Sequence, residues 1–272
     1  MGRGKSMKTI VAALMLLVPC ATSALAASLD ELTPYLSAQY FTWEEHLGGR
    51  RILKESGPLF AGGVLLEVIT QSDTPSSLTF RGKGEIFGGI VGYDGETQAP
   101  NAVPVKTDVS YFGTRQELDL GYRYSAESWC LEPFTGLGYR WWLRGLQDST
   151  LADGQPVSGY TEYWRAGYAR LGARGRYRPG SGVTLFAEGG VKYPFYTGNS
   201  VDFAGSGVTT FRPRGTWSGF AETGVTYQHL KLALTYEGFR YSASPLAQVG
   251  NQSYLQPESS SDIFGLNLGW AF

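Results

Sequence analysis

The chain has 272 residues and a formal net charge of −1. No basic excess points to nucleic acid, and no run of like charge marks an interaction tail. Past residue 26 there is no stretch of about 18 apolar residues, which excludes helical membrane spans, yet the chain holds 17 Tyr, 14 Phe, 7 Trp and 37 Gly. Average polarity with many aromatics suits strands that are apolar on one face and polar on the other.

The first element is a leader. Arg3, Lys5 and Lys8 precede an apolar run over 10–18, and Ala24-Leu25-Ala26 forms an A-x-A cleavage site. This is the pattern of a secretory signal peptide. The run is shorter than the ~20 residues of a spanning helix. Removal of 1–26 leaves 27–272 as one domain, and loss of the three leader bases takes the net charge to −4. That domain keeps one cysteine, Cys130, so no internal disulfide is expected.

Ten strands are predicted, at 34–43, 58–71, 78–93, 108–124, 129–146, 160–177, 182–196, 214–228, 231–243 and 261–272. The connections alternate in length. Long ones fall at 44–57, 94–107, 147–159, 197–213 and 244–260. Short ones fall at 72–77, 125–128, 178–181 and 229–230. Outer-membrane barrels show this asymmetry, with short periplasmic turns and longer external loops. The turn at 229–230 has no Gly, Pro or Asn, but parity changes across it. Trp217, Val225 and Tyr227 place the apolar face on odd positions, whereas Leu232, Leu234 and Tyr236 place it on even ones. A continuous strand cannot change parity without a bulge. A bulge there gives eight strands as the alternative count.

The opposite parity carries charge, and the predicted inward set follows the strands. Glu67 comes from the second strand, Arg81, Lys83 and Glu85 from the third, and Arg115, Glu117, Asp119 and Arg123 from the fourth. The fifth gives Glu132, Arg140 and Arg144, and the sixth Glu162, Arg170, Arg174 and Arg176. The seventh gives Glu188 and Lys192, the eighth Glu222 and the ninth Glu237. A soluble β-sandwich would put these charges on its surface and bury the aromatic face.

The last strand alternates large apolar residues, Phe264, Leu266, Leu268, Trp270 and Phe272, with small or polar ones. This ending resembles the C-terminal signal strand of bacterial outer-membrane β-barrels, which the family's assembly machinery recognises. The resemblance implies an antiparallel transmembrane β-barrel in the outer membrane, surrounded by lipid and lipopolysaccharide.

Three functional readings follow. In the preferred one, Arg pairs with Glu or Asp across a narrow interior and fills it, because buried charge is costly unless paired. About eight strands enclose just enough space for side chains. The protein then serves envelope structure or surface interaction. In the second, bases and acids line a narrow channel for ions or small solutes. In the third, a loop site with Glu44, Glu45, His46 and Ser56 supports hydrolysis or lipid modification. The count of ten strands is similar to that of omptin proteases, but no D-x-D lies at an outer strand end here and no Asp stands two residues from a histidine. His46 and His229 fall at opposite ends. Tyr139-Arg140-Trp141-Trp142-Leu143-Arg144 reads as an aromatic girdle outside and ion pairing inside. The alternative is a ligand-stacking platform. The basic residues His46, Arg50, Arg51 and Lys54 of the first loop are candidates for contact with lipid phosphates. No cofactor, metal site or catalytic residue is assigned, and no surface ligand is identified.

Overall fold

The structure is a computed structural model that describes residues 27–70, 74–96, 102–151, 154–180, 182–202, 207–249 and 252–272. The predicted leader lies outside the described residues. Ten antiparallel strands form the wall: β1 (Ala27–Leu47), β2 (Arg50–Thr70), β3 (Ser76–Glu96), β4 (Pro104–Ser125), β5 (Trp129–Leu146), β6 (Thr161–Gly180), β7 (Val183–Asp202), β8 (Ser218–Tyr227), β9 (Leu230–Tyr241) and β10 (Glu258–Trp270). Each pairs with the next, and β10 pairs with β1, so the sheet closes on itself without a free edge. Closure is what permits strands in lipid, because every backbone N–H and C=O must find a partner within the wall. The count is ten, not eight.

The parity change predicted the eighth and ninth strands as a hairpin, and they are one. Tyr227 stands opposite Leu230, with Gln228 and His229 as the turn. Gln228 takes a φ of 54°. The turn sits one residue earlier than the sequence suggested.

One expectation changes more. The first long loop, predicted at 44–57, is almost entirely strand. β1 and β2 stay paired up to Leu47 opposite Arg50, with a one-residue register shift between Glu45 and His46, and only Gly48 and Gly49 remain as the turn, with φ of 59° and 80°. β3 and β4 likewise run out to Glu96 and Pro104. β6 and β7 have 20 residues each. At about 3.3 Å per residue and a tilt near 45°, such strands rise roughly 45 Å, well beyond an apolar band about 25 Å tall. The wall therefore projects past the band at one end.

The band is visible on the outside. Leu36, Tyr40, Phe60, Phe80, Ile86, Ile90, Phe112, Leu118, Leu137, Leu171, Leu185 and Leu234 all face outward and are exposed. Phe264, Leu266, Leu268, Trp270 and Phe272 continue it around the ring. Beyond Tyr40, Ile90 and Phe112 the outward residues become polar, among them Glu44, Lys54, Asp94 and Lys106. The short turns lie at the other end, below the band. We refer to the two as the loop end and the turn end.

Two of the four register shifts in the wall change what the strands present. A register shift between Leu29 and Glu31 adds one residue to β1. A second, between Gly167 and Tyr168 of β6, leaves Phe195 unmatched on β7. Past Lys192, β7 pairs with a short strand, Val208–Phe211, in place of β8, and Gly215–Thr216 extends the pairing of β9.

Candidate functional site: the barrel interior

Strand alternation turns one residue in two toward the interior, and the charged parity faces in. Arg115, Glu117, Asp119, Arg123, Glu132, Arg140, Arg144, Arg170, Arg174, Lys192, Glu85 and Glu237 are all under a tenth exposed. They sit close to opposite charges from other strands. Arg115 contacts Glu85 at 3.1 Å and Glu237 at 3.2 Å. Arg170 bridges Glu117 at 2.5 Å and Glu188 at 3.0 Å. Arg174 reaches Asp119 at 2.7 Å and Glu132 at 3.2 Å. Arg123 meets Glu132 at 2.8 Å and also Glu67. Arg81 pairs with Glu188, Lys192 with Glu237, and Lys83 with Glu222 at 3.6 Å. The structure thus brings most of the predicted inward set together, as a ladder of ion pairs through the middle and turn end of the barrel; Arg144 and Glu162 pair separately at the loop end, and Arg140 has no ion pair among the described residues.

Arg140 is buried against rings. Its guanidinium carbon lies 4.7 Å from the centroid of Phe87, 4.9 Å from Trp142 and 5.1 Å from Phe239. A desolvated cation over ring faces gains from their quadrupoles. Above it the interior is aromatic. Trp142 stacks on Trp164 at 5.3 Å, Trp43 meets Trp164 edge-on at 5.1 Å, and Tyr241 lies 5.9 Å from Trp164. Phe41 packs on Tyr111 at 4.7 Å. Trp142 and Arg140 do face inward, but rings and side chains of the same chain occupy the faces a stacked ligand would need.

The strongest omission of the sequence reading lies at the two ends of the barrel. At the loop end Glu45 and Glu55, assigned to a loop, point into the barrel and are buried. Their parity matches that of Tyr35, Gln39 and Phe41 on β1 and of Glu67 and Leu59 on β2, which is the signal that would have found them. Arg144 lies between them and Glu162: its Nη2 donates to Glu55 Oε1 at 2.5 Å and its Nη1 to Glu162 Oε2 at 2.8 Å. At the turn end the extra residue at the β1 bulge lets both Asp30 and Glu31 reach bases. Asp30 accepts from Arg123 at 2.8 Å and from Arg176 at 3.1 Å, and Glu31 accepts from Lys231 at 2.6 Å.

Little space is left. Midway along, a cavity of about 20 Å³ is lined by Lys83, Arg115, Glu117, Arg170, Glu222 and Glu237. That is room for a water molecule or two. Wider recesses lie at the two ends, one of about 310 Å³ at the turn end beside Glu31, Arg176, Arg178 and Lys231, and one of about 530 Å³ at the loop end beside His46, Thr216, Arg240 and Tyr241.

The loop constellation does not assemble. Glu45 faces in while Glu44 and His46 face out. Ser56 stands opposite Thr42, four residues from His46, or about 13 Å along the strand. His229 is at the far end, its Nδ1 2.8 Å from the Ala271 carbonyl oxygen. The bases of that segment are matched by acids. Arg50 pairs with Glu96 at 2.5 Å, and Arg51 and Lys54 approach Glu44 at 3.4 and 3.7 Å. Hydrogen bonds from Arg50 hold the exposed Glu96 carboxyl below its ordinary value.

No protein-family model matches the chain, and no curated protein matches it by sequence. Solved structures do match. The outer membrane protease OmpT from Escherichia coli is 14% identical with a TM-score of 0.50, over 93% of this chain and 100% of that one. A major outer membrane protein from Thermus thermophilus is 14% identical with a TM-score of 0.39, over 87% and 99%. Ail of Yersinia pestis is 11% identical with a TM-score of 0.32, over 89% and 98%. At these identities the likeness concerns the fold. This chain has the fold of a bacterial outer-membrane β-barrel.

Proposed function

We propose that the protein is an integral outer-membrane barrel with a closed interior, which serves envelope structure or surface interaction and does not pass solutes freely. The turn end then faces the periplasm, and the projecting loop end stands outside the cell. The observation that carries this reading is the continuous filling of the interior. The ion-pair ladder occupies the middle, where the cavity of about 20 Å³ admits only water, and above it Trp43, Trp142 and Trp164 are at most 1% exposed. Ten strands lie near the width that side chains alone can fill. The outward faces of β10 and its neighbours would meet lipid and lipopolysaccharide, and β10 would be the strand offered to the assembly machinery.

The test is conductance of the refolded protein in a planar bilayer, beside a Trp142→Ala/Trp164→Ala variant. The wild type should be silent while heat-modifiable gel migration shows a folded barrel. The variant, with two large rings removed from the seal, should give discrete steps. Reproducible steps from the wild type that change when Arg140 or Arg170 is neutralised would replace this reading with a narrow channel.

A further inference from the structure

On the outward face of the loop end, most bases are neutralised by acids of the same chain. Besides Arg50, Arg51 and Lys54, Lys106 lies 3.1 Å from Asp94 and Arg240 lies 2.7 Å from Asp262. Three arginines differ. Arg165 of β6, and Arg212 and Arg214 just past the short strand Val208–Phe211, are exposed and have no ion pair among the described residues.

Strand register brings the three together. Arg165 stands opposite Gly198 of β7. Phe211 stands opposite Asn199, and Thr197 Oγ1 donates to the Pro213 carbonyl oxygen. Arg212, between those two contacts, therefore flanks Gly198 from the other side. Arg214, two residues on, shares that face near Tyr196. Exposure alternates in step: Phe211, Pro213 and Gly215 are buried, whereas Arg212, Arg214 and Thr216 are exposed. With strands about 4.8 Å apart, Arg165 and Arg212 are rooted roughly 10 Å from each other, and the residue between them has no side chain. A Cβ on Gly198 would meet the Tyr196 hydroxyl at 3.8 Å and the Thr210 methyl at 3.9 Å, and nothing closer. The acids on these strands are engaged elsewhere. Glu162 points inward to Arg144. Asp202 stands opposite Val208, four residues or about 13 Å along β7 from Gly198, and accepts from Gly207 N at 3.1 Å.

The cluster lies at the rim of the apolar band. Trp141 of β5 stands opposite Arg165 and meets Phe112 edge-on at 6.3 Å, and the outward face turns polar beyond Phe112. Tyr139, Tyr163, Phe195 and Tyr196 are exposed around it. Amphipathic rings gather where acyl chains give way to headgroups. Arginine stems lie along apolar surface and carry their charge to the polar side.

We propose that Arg165, Arg212 and Arg214 bind the phosphates of lipopolysaccharide, the phosphorylated lipid of the outer leaflet. This rests on the reading that the loop end stands outside the cell. Charge complementarity carries it: three cations without counterions stand at the depth of the headgroups, and each guanidinium offers paired N–H donors that match phosphate oxygens. The space over Gly198 lets one phosphate be held from two sides, with the acyl chains below against Phe195 and Leu171. The bases of 50–54, already matched by Glu44 and Glu96, are poorer candidates.

The experiment is native mass spectrometry of the refolded protein, released from detergent micelles, with lipid A as the probe. Lipid A is the phosphorylated anchor of lipopolysaccharide. The wild type should bind it. Arg165→Gln/Arg212→Gln/Arg214→Gln should bind about 100-fold more weakly, roughly a factor of five for each base. Gly198→Glu keeps all three bases but supplies the missing acid, and should also weaken binding. Arg50→Gln/Lys54→Gln should bind as the wild type does. Heat-modifiable gel migration checks that each variant is folded. Lipid A stripped of its phosphates should not bind, and millimolar inorganic phosphate should not displace the intact lipid. None of these side chains faces the interior, so conducting wild-type barrels would end the closed-interior reading and leave this one standing. Unchanged binding in both arginine-site variants, equal binding of stripped lipid A, or displacement by inorganic phosphate overturns the proposal. A preference for phosphatidylglycerol over lipid A overturns it together with the orientation it rests on.

Discussion

A single methyl group decides much in an interior this full. Gly138 of β5 lies beneath the ring of Tyr168, and a Cβ there would come within 2.2 Å of the ring carbons. The ring cannot move away freely, because its hydroxyl donates to Glu117 at 2.7 Å. Gly84 of β3 faces outward with nothing within 4 Å of the same position. Gly138→Ala should therefore destabilise the barrel by about 1–3 kcal/mol. Gly84→Ala should be neutral or slightly stabilising, since it narrows the unfolded ensemble without a clash. Urea unfolding in micelles, followed by gel migration, separates the two. The same crowding explains what was legible at this scale. Alternation alone placed Arg81, Glu117, Arg170 and Glu188 inside, because each stands in a run of lipid-facing neighbours that fixes its parity. Glu45 and Glu55 were missed because the residues between them and around them, Glu44, His46, Lys54 and Ser56, are polar on the outward face too. Outside the apolar band the contrast between the two faces disappears, and with it the signal.

Elements were readable where chemistry changed at their ends and less so where it did not. The β8–β9 hairpin was found from parity, although its turn lacks Gly, Pro and Asn. Its geometry shows the cost of that choice. Gln228 occupies the left-handed region at φ 54°, which a residue with a Cβ adopts with some strain. Gln228→Gly should stabilise the hairpin by up to about 1 kcal/mol, read as a higher urea midpoint with unchanged slope. The backbone bond from residue 228 to Gly182 O, at 3.0 Å, needs no side chain and should survive. Strand lengths were misjudged for another reason. Spanning an apolar band takes about 9–11 residues, and nothing in a polar outward segment says that pairing continues. It continues because the inward positions Trp43, Leu53, Val91, Val109 and Trp164 still have an apolar core to bury.

For the whole molecule, the distribution of charge separates surface from interior. Exposed pairs such as Arg50–Glu96 are screened within a Debye length of about 8 Å at physiological salt. Arg115 and Arg170 are buried around a cavity of about 20 Å³ that has no room for hydrated ions. Raising sodium chloride from 50 to 500 mM should therefore leave the unfolding midpoint nearly unchanged. A large fall would mean that the interior pairs are hydrated and accessible, and that the space between them is wider than the water-sized gaps described.

The ladder has one more consequence. In a sheet with period two, a slip of one residue between strands is punished at once, because it turns the apolar face inward. A slip of two residues is invisible to that rule, since every side chain keeps its face. The charges are not indifferent to it. Arg123 finds Glu67 and Glu132, and Asp30 and Glu31 find Arg123, Arg176 and Lys231, only when β1, β2, β4, β5, β6 and β9 stand at their own heights. A two-residue slip would leave buried charges facing empty positions or like charges, which costs several kcal/mol for each stranded ion. The interior pairs thus act as a checksum on barrel closure. They detect the one class of misalignment that greasy-out, polar-in patterning cannot see, and they do so across strands up to 200 residues apart in the chain.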